Sequence, residues 1–281
     1  MAADQPLDRA ILLQKLAGLA VQAGAAIMDV YARDFAVSFK KDASPVTDAD
    51  AAAEAIILAG LARLAPGVPV VAEEEHAAGR IPDTDGHFFL VDPLDGTKEF
   101  VERRGDFTVN IALIEAHVPS LGVVYTPVER RLYAGDVGAG RAWQALVGED
   151  GTIGDPQPIR VRALPTNGLV AVASRSHSTP ATDDYLAQFD VSARVSRGSS
   201  LKLCMVAAAQ ADLYPRLSPT CEWDIAAGDA VLRAAGGRVD APDGQPMRYG
   251  KPQFRNAGFV ASGTVATPPI APFLTDPHPA G

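Results

Sequence analysis

Cysteine is scarce: Cys204 and Cys221 are the only two in 281 residues. Two thiols cannot build a four-ligand zinc site or a disulfide framework, and they fit a reducing compartment. Basic charge is also short. Lys and Arg number 25 against 34 Asp and Glu, a formal net charge of −9 with a pI near 5.0. Nucleic acids and anionic membranes select a basic face, so no nucleic-acid partner is expected. Taken alone, the balance also counts against any polyanionic ligand. No apolar run of membrane-spanning length is expected, since the longest, such as residues 51–61, are short and broken by charges like Glu54. The first six residues show no basic start followed by an apolar stretch, so no secretory leader is expected and a cytoplasmic location is the default. Three common catalytic motifs are missing as well: Gly-x-Ser-x-Gly, His-Glu-x-x-His and Gly-Lys-Ser/Thr.

What is present is globular: 47% apolar and 21% charged residues, enough chain for one large or two modest domains. Leu12, Leu16, Leu19 and Ala23 recur at helical spacing and predict a helix over 7–31. A strand-like piece at 36–41 precedes Ser44-Pro45-Val46-Thr47, which introduces a helix over 48–64 with acids in its first turn. Strands are expected at 68–72 and 87–91, and hairpin strands at 108–114, 120–125 and 131–134, with a Gly138–Gly140 turn. Residues 148–158 are Gly- and Pro-rich and read as a linker or long loop. Beyond 165, strands (169–173, 191–195, 212–215, 259–262) alternate with helices (180–189, 199–210, 224–235). The expected organisation is an α+β domain over 1–165, an α/β domain over 166–266, and a disordered Pro-rich tail over 267–281. Cys204 is expected as a small buried residue on the helix over 199–210.

Acids sit where apolar strands end. Val70-Val71-Ala72 runs into Glu73-Glu74-Glu75, and Phe88–Val91 runs into Asp92-Pro93-Leu94-Asp95-Gly96-Thr97. Such ends are where α/β proteins build ligand sites. A carboxylate among apolar neighbours is costly unless neutralised, and a hard divalent cation is a natural partner for two aspartates aimed by a rigid turn. Each acid also has a plain structural explanation. Asp92 and Asp95 can shape a turn, Glu73–Glu75 can be a solvated loop, Asp48 and Asp50 can open a helix, and Asp224 can cap one. Their joint placement at element ends is what makes a site plausible.

The run Asp92–Thr97 resembles a signature of the inositol monophosphatase-like, lithium-sensitive phosphatase superfamily. Trp223-Asp224-Ile225-Ala226-Ala227-Gly228, Val71-Ala72-Glu73-Glu74 and Pro45-Val46-Thr47-Asp48-Ala49-Asp50 match further family elements, in order, across residues 8–263. Gly96-Thr97-Lys98-Glu99-Phe100, Asp106–Leu113, Gly122–Pro127, Ala173–His177, Gly198–Lys202 and Ala211–Arg216 are similar to the family's 3'(2'),5'-bisphosphate nucleotidase branch. The resemblance implies a layered αβαβα sugar-phosphatase-like fold and Mg²⁺-dependent chemistry with two or three ions during turnover. By motif position, Glu73, Asp92, Asp95 and Asp224 would be metal ligands together with the Leu94 carbonyl. Glu73 is taken over Glu74 because the family glutamate directly follows the small residue, which leaves Glu74 a supporting place. Asp50 rather than Asp48 would pair with the Thr97 hydroxyl, which would orient the attacking water. The implied catalytic set is Asp50, Thr97 and Glu73.

Substrate contacts are expected from Glu73, Leu94, Asp95, Gly96, Thr97, Ser199, Ser200, Lys202 and Asp224. Gly96 lets backbone N–H groups approach a phosphate. Ser199, Ser200 and Lys202 open a helix and suit the nucleotide or its other phosphate, or else form an ordinary Ser-capped start. Arg175 and His177 are placed to approach the base or ribose, with a surface loop as the plainer reading of His177. The implied reaction removes the 3'-phosphate of adenosine 3',5'-bisphosphate, giving AMP, and extends to the sulfated relative 3'-phosphoadenylyl sulfate, in sulfur assimilation. Alternatives are an inositol or sugar-phosphate phosphatase, against which Lys98-Glu99 speaks by resemblance, or a catalytically silent nucleotide-binding regulator. A small-molecule nucleotide is the expected partner; a homodimer and peripheral contact with the inner membrane face are left open.

Overall fold

The computed structural model describes residues 8–39, 45–174 and 179–274. The first helix, Arg9–Tyr31, starts at Asp8, whose carboxylate accepts from the Ala10 and Ile11 amides at 2.8 and 3.4 Å. Its Leu16, Ala20, Ala23 and Ile27 are fully buried. The helix Asp48–Leu64 is capped by Thr47, with Asp50 closing a reciprocal capping box. These two helices pack on each other and on one face of a seven-stranded sheet.

That sheet runs in chain order: Val70–Ala72, His87–Asp95, Thr108–Glu115, Val118–Thr126, Arg131–Asp136, Arg141–Leu146 and Gln157–Ile159. Only its first pair is parallel. The helices Leu201–Ala207 and Glu222–Ala234 cover its other face. Gly122 and Gly135 permit the second of these to lie close. A Cβ at Gly122 would strike the Ala227 carbonyl, and one at Gly135 would come within 2.7 Å of Val231 Cα.

Beyond those helices lies a five-stranded sheet in the order Val191–Arg197, Leu169–Ser174, Leu213–Arg216, Phe259–Ser262, Arg238–Asp240. Its first two pairings are parallel and its last two antiparallel. The outer layer is the helix Pro180–Leu186 with the short 3₁₀ turn Ala271–Phe273. The layers therefore stack αβαβα, as the motifs implied. The largest buried cluster draws on both halves, with Phe88 and Leu90 meeting Leu203, Val231 and Val172 in one core.

Several expectations need correction. Arg9–Tyr31 is long and apolar enough to cross a membrane by length and composition, but half of its most apolar window is buried inside the protein, as in a core helix. Residues 148–158 are not a linker: Val147 and Ile153 bridge, and Gln157–Ile159 adds a strand to the sheet. Residues 267–274 are not a disordered tail, because Ile270 is fully buried and the Tyr185 hydroxyl donates to the Pro268 carbonyl at 2.8 Å. Residues 275–281 lie outside the described residues.

Candidate active site

The strands Val70–Ala72 and His87–Asp95 are parallel neighbours, so their C-terminal ends point the same way. Glu73 begins the short helix Glu73–Ala77 at one end. At the other, the strand runs on through Pro93 with a bulge between Asp92 and Asp95. Proline has no amide to give a ladder, so a bulge is where it fits. Asp92 Oδ1 accepts from the Leu94 amide at 3.0 Å, closing an Asx turn over the proline. Gly96 then takes φ +96°, where a Cβ would also come 3.0 Å from the Asp106 carbonyl; only glycine turns the chain here without strain. Thr97 opens the helix Thr97–Val101 beyond it.

A cavity of about 230 Å³ lies at these strand ends. Glu73, Asp92, Asp95 and Asp224 all line it, as do Thr97, Ser200, Lys202 and Arg216. Asp224 arrives on the third residue of the helix Glu222–Ala234, its Oδ2 accepting from the Cys221 amide at 2.9 Å and from the Thr220 hydroxyl. That helix start is held by Glu222, fully buried, which accepts from the Gly250 and Lys251 amides at 2.7 and 3.0 Å and pairs with Lys251 Nζ at 2.6 Å. Asp95 Oδ2 accepts from the Ser200 amide at 2.5 Å and the Asn110 side chain at 3.4 Å. Thr97 Oγ1 has two acceptors in reach, Asp50 Oδ1 at 3.3 Å and the Leu94 carbonyl at 3.2 Å.

Burial, and then the charge of Asp224, hold the Asp95 carboxyl above the usual carboxylate range, against Lys202 and the Ser200 amide. Burial pushes Lys202 down, opposed first by Asp95. Among the described residues no three His, Cys, Asp or Glu side chains form a ready metal cluster. The reason is local: at least three of these carboxylates are aimed at backbone amides and hydroxyls. The donor set nevertheless suits a hard divalent cation, because it consists of oxygens and leaves Asp95 and Asp224 repelling each other in a buried place.

The substrate loop departs from expectation in detail. Ser200 does not cap a helix with its side chain. Its Oγ lies 2.7 Å from Asn110 Oδ1 and 2.9 Å from Thr108 Oγ1, joining the start of the helix Leu201–Ala207 to the seven-stranded sheet beside the cavity. Ser199 sits at φ +49°, and Lys202 Nζ braces this turn by donating to the Ser199 and Arg197 carbonyls at 2.5 and 3.3 Å. Asp106 accepts from the Gly198 amide at 3.1 Å and from Arg197 at 3.0 Å. Arg175 and His177 lie outside the described residues. Arg216, Tyr214 and Glu99 also line the cavity and had been given no role. Arg216 carried the same signal as the acids, a charge at the end of an apolar strand.

Residues 9–270 match the inositol monophosphatase family. The 3'(2'),5'-bisphosphate nucleotidase CysQ of Salmonella typhimurium is 45% identical over 252 residues, covering 88% of this chain and 98% of that protein. Its Escherichia coli K12 counterpart is 45% identical over 255 residues, with 89% and 99% covered. Among solved structures, CysQ from Bacteroides thetaiotaomicron, a bacterial member of the inositol monophosphatase family, superposes with a TM-score of 0.75 at 36% identity, covering 93% of this chain and all of that one. Fold and site thus define a phosphatase whose catalysis depends on metal. The chain belongs to the inositol monophosphatase family.

Proposed function

We propose that the protein is a 3'(2'),5'-bisphosphate nucleotidase that releases the 3'-phosphate of adenosine 3',5'-bisphosphate as inorganic phosphate and leaves AMP. It would serve sulfur assimilation in the cytoplasm, with 3'-phosphoadenylyl sulfate as a second substrate. The supporting observation is likeness to the CysQ nucleotidases over nearly their whole length, joined to a single cavity that gathers Glu73, Asp92, Asp95, Asp224 and Thr97.

In this reading Glu73, Asp92, the Leu94 carbonyl, Asp95 and Asp224 hold Mg²⁺, two or three ions during turnover. Held by these residues, Mg²⁺ would supply neutralisation of the phosphoryl oxygens, a more acidic water and stabilisation of the leaving oxygen. Thr97 has one hydroxyl proton and two acceptors, so it donates to one at a time. With the Leu94 carbonyl engaged elsewhere, the proton goes to Asp50, and the Thr97 oxygen is left to accept from, and so orient, the attacking water. Gly96 and Thr97 present backbone amides to the reacting phosphate. The two-part division near residue 165 describes the sheets in this reading, with the site between them.

Phosphate release from adenosine 3',5'-bisphosphate, inositol 1-phosphate and fructose 1,6-bisphosphate, each with Mg²⁺ and with EDTA, tests it. The nucleotide is expected to turn over fastest. Faster hydrolysis of inositol phosphate overturns the substrate, and undiminished activity in EDTA overturns the metal.

A further inference from the structure

The helix Asp48–Leu64 carries two buried carboxylates on one face, Asp50 and Glu54, four residues apart. Asp50 reaches the Thr97 hydroxyl. Glu54 is 4% exposed, and its Oε2 accepts from the Glu74 amide at 2.9 Å. That amide belongs to the rigid peptide plane that begins at Glu73 Cα. On the other side of Glu73, Ala72 stands in the ladder opposite Val91, the residue before Asp92. Glu73 therefore leaves the chain between two fixed points, the ladder and Glu54. The helix Glu73–Ala77 adds little of its own, with five residues, none of them buried, and no side-chain cap at Ala72. At its far end His76 packs on Trp223, the residue before Asp224, with ring centroids 4.9 Å apart. Glu54 stands behind the cavity wall, not on it. Burial works against its carboxylate, a penalty that an apolar residue would escape, so its value lies in the bond it makes.

We propose that Glu54 is a positioning residue of the metal centre: by holding the Glu73–Glu74 peptide it sets where the Glu73 carboxylate stands relative to Asp92, and with it the affinity for Mg²⁺. This rests on the reading of Glu73 and Asp92 as metal ligands and extends it to a residue that lines no part of the cavity. A metal is held tightly only when its ligands are already in place, and the groups that orient them act from behind. What Glu54 supplies is an acceptor oxygen at a fixed point, which a side-chain amide can also supply. One helix thus registers two parts of the site, Thr97 through Asp50 and Glu73 through Glu54.

The test titrates EDTA-stripped protein with Mg²⁺ by calorimetry, and measures phosphate release from adenosine 3',5'-bisphosphate against Mg²⁺ concentration. Wild type, Glu54→Ala, Glu54→Gln and Glu54→Asp are compared. Glu54→Ala is expected to weaken Mg²⁺ binding about tenfold or more and to raise the half-saturating Mg²⁺ in parallel, the usual scale for a group that orients a metal ligand. At saturating Mg²⁺ its kcat and its KM for the nucleotide should stay near those of wild type. Glu54→Gln should bind Mg²⁺ nearly as wild type does. A merely structural role would lower the maximal rate without moving the Mg²⁺ titration. Unchanged Mg²⁺ binding in Glu54→Ala, a loss confined to kcat, or equal losses in Glu54→Ala and Glu54→Gln overturns the proposal. Should Glu54→Ala fail to fold, Glu54→Asp, with its carboxylate drawn back by one methylene, must weaken Mg²⁺ binding where Glu54→Gln does not, and unchanged binding overturns the proposal. If wild type binds Mg²⁺ but fails to hydrolyse the bisphosphate, the substrate reading alone falls, and the titration still decides the role of Glu54. A wild type that binds no Mg²⁺ overturns the metal reading and this proposal with it.

Discussion

Thr97 Oγ1 and Asp50 Oδ1 lie 3.3 Å apart although 47 residues separate them in the chain. The other Asp50 oxygen accepts from the Thr47 amide and hydroxyl at 2.8 and 2.9 Å. The acid that faces Thr97 is therefore locked by the cap of its own helix, and it cannot turn away without uncapping that helix. Thr97→Ala is expected to lower kcat by about a hundredfold or more, the usual scale of a positioned proton acceptor, with KM and Tm little altered. Thr97→Ser should keep most of the activity. Steady-state phosphate release decides it: an alanine variant retaining near wild-type kcat removes Thr97 from the chemistry.

Metal removal and Asp95→Asn should converge. EDTA is expected to abolish turnover, Mg²⁺ to restore it, and Li⁺ to inhibit as the family resemblance implies. Asp95→Asn should be inactive with Mg²⁺ present. Its Tm in EDTA should be no lower than that of wild type, because the change removes a buried charge that Asp224 repels. A clear drop in that Tm would show that Asp95 serves the fold more than the site.

Glu54 gives the pH dependence. It is buried on the helix Asp48–Leu64, where it accepts from the Glu74 amide at 2.9 Å, and burial raises its pKa to about 7. A raised carboxyl keeps its proton in the folded state after the unfolded chain has lost it. This group's contribution therefore falls as pH rises from about 4.5 to about 7, then levels off. Glu54→Gln keeps an acceptor for Glu74 and lacks the penalty. Its Tm relative to wild type should climb across that interval; a difference independent of pH contradicts the account.

Glu222→Ala removes the buried partner of Lys251 and two backbone amides at the start of the helix that carries Asp224. Stability should fall by roughly 3–5 kcal/mol, the scale for breaking a buried pair. Glu222→Gln should lose less, since it can still accept. Chemical denaturation measures both, and equal losses would assign the effect to charge alone.

Glu73, Asp92 and Asp95 were legible because each stands where an apolar strand stops, whereas Asp50 and Asp224 stand in the first turns of helices and were picked out by motif resemblance. The layering came from the motif resemblance, while periodicity by itself gave hairpins before residue 137 and alternating strands and helices beyond residue 165. Gln157–Ile159 was hidden because Pro156 precedes this three-residue edge strand and Pro158 stands inside it, and local composition there reads as loop. The ordering of 267–274 was hidden because it comes from Ile270 and Phe273 meeting Tyr185, a contact that no local pattern announces. Ser200 was assigned by its place at a helix start. Its actual partners, Thr108 and Asn110, lie about ninety residues away.

The helix Glu222–Ala234 rests on Gly122 and Gly135 of one sheet while its far side serves the other. Asp224 rides at its start, so the spacing between the two sheets also sets how far Asp224 stands from Asp92 and Asp95. Gly122→Ala, far from any substrate, would lift this helix and shift a ligand without touching one. The protein thus has no idle scaffold between its sheets: thickness in the middle layer is a setting of the catalytic centre.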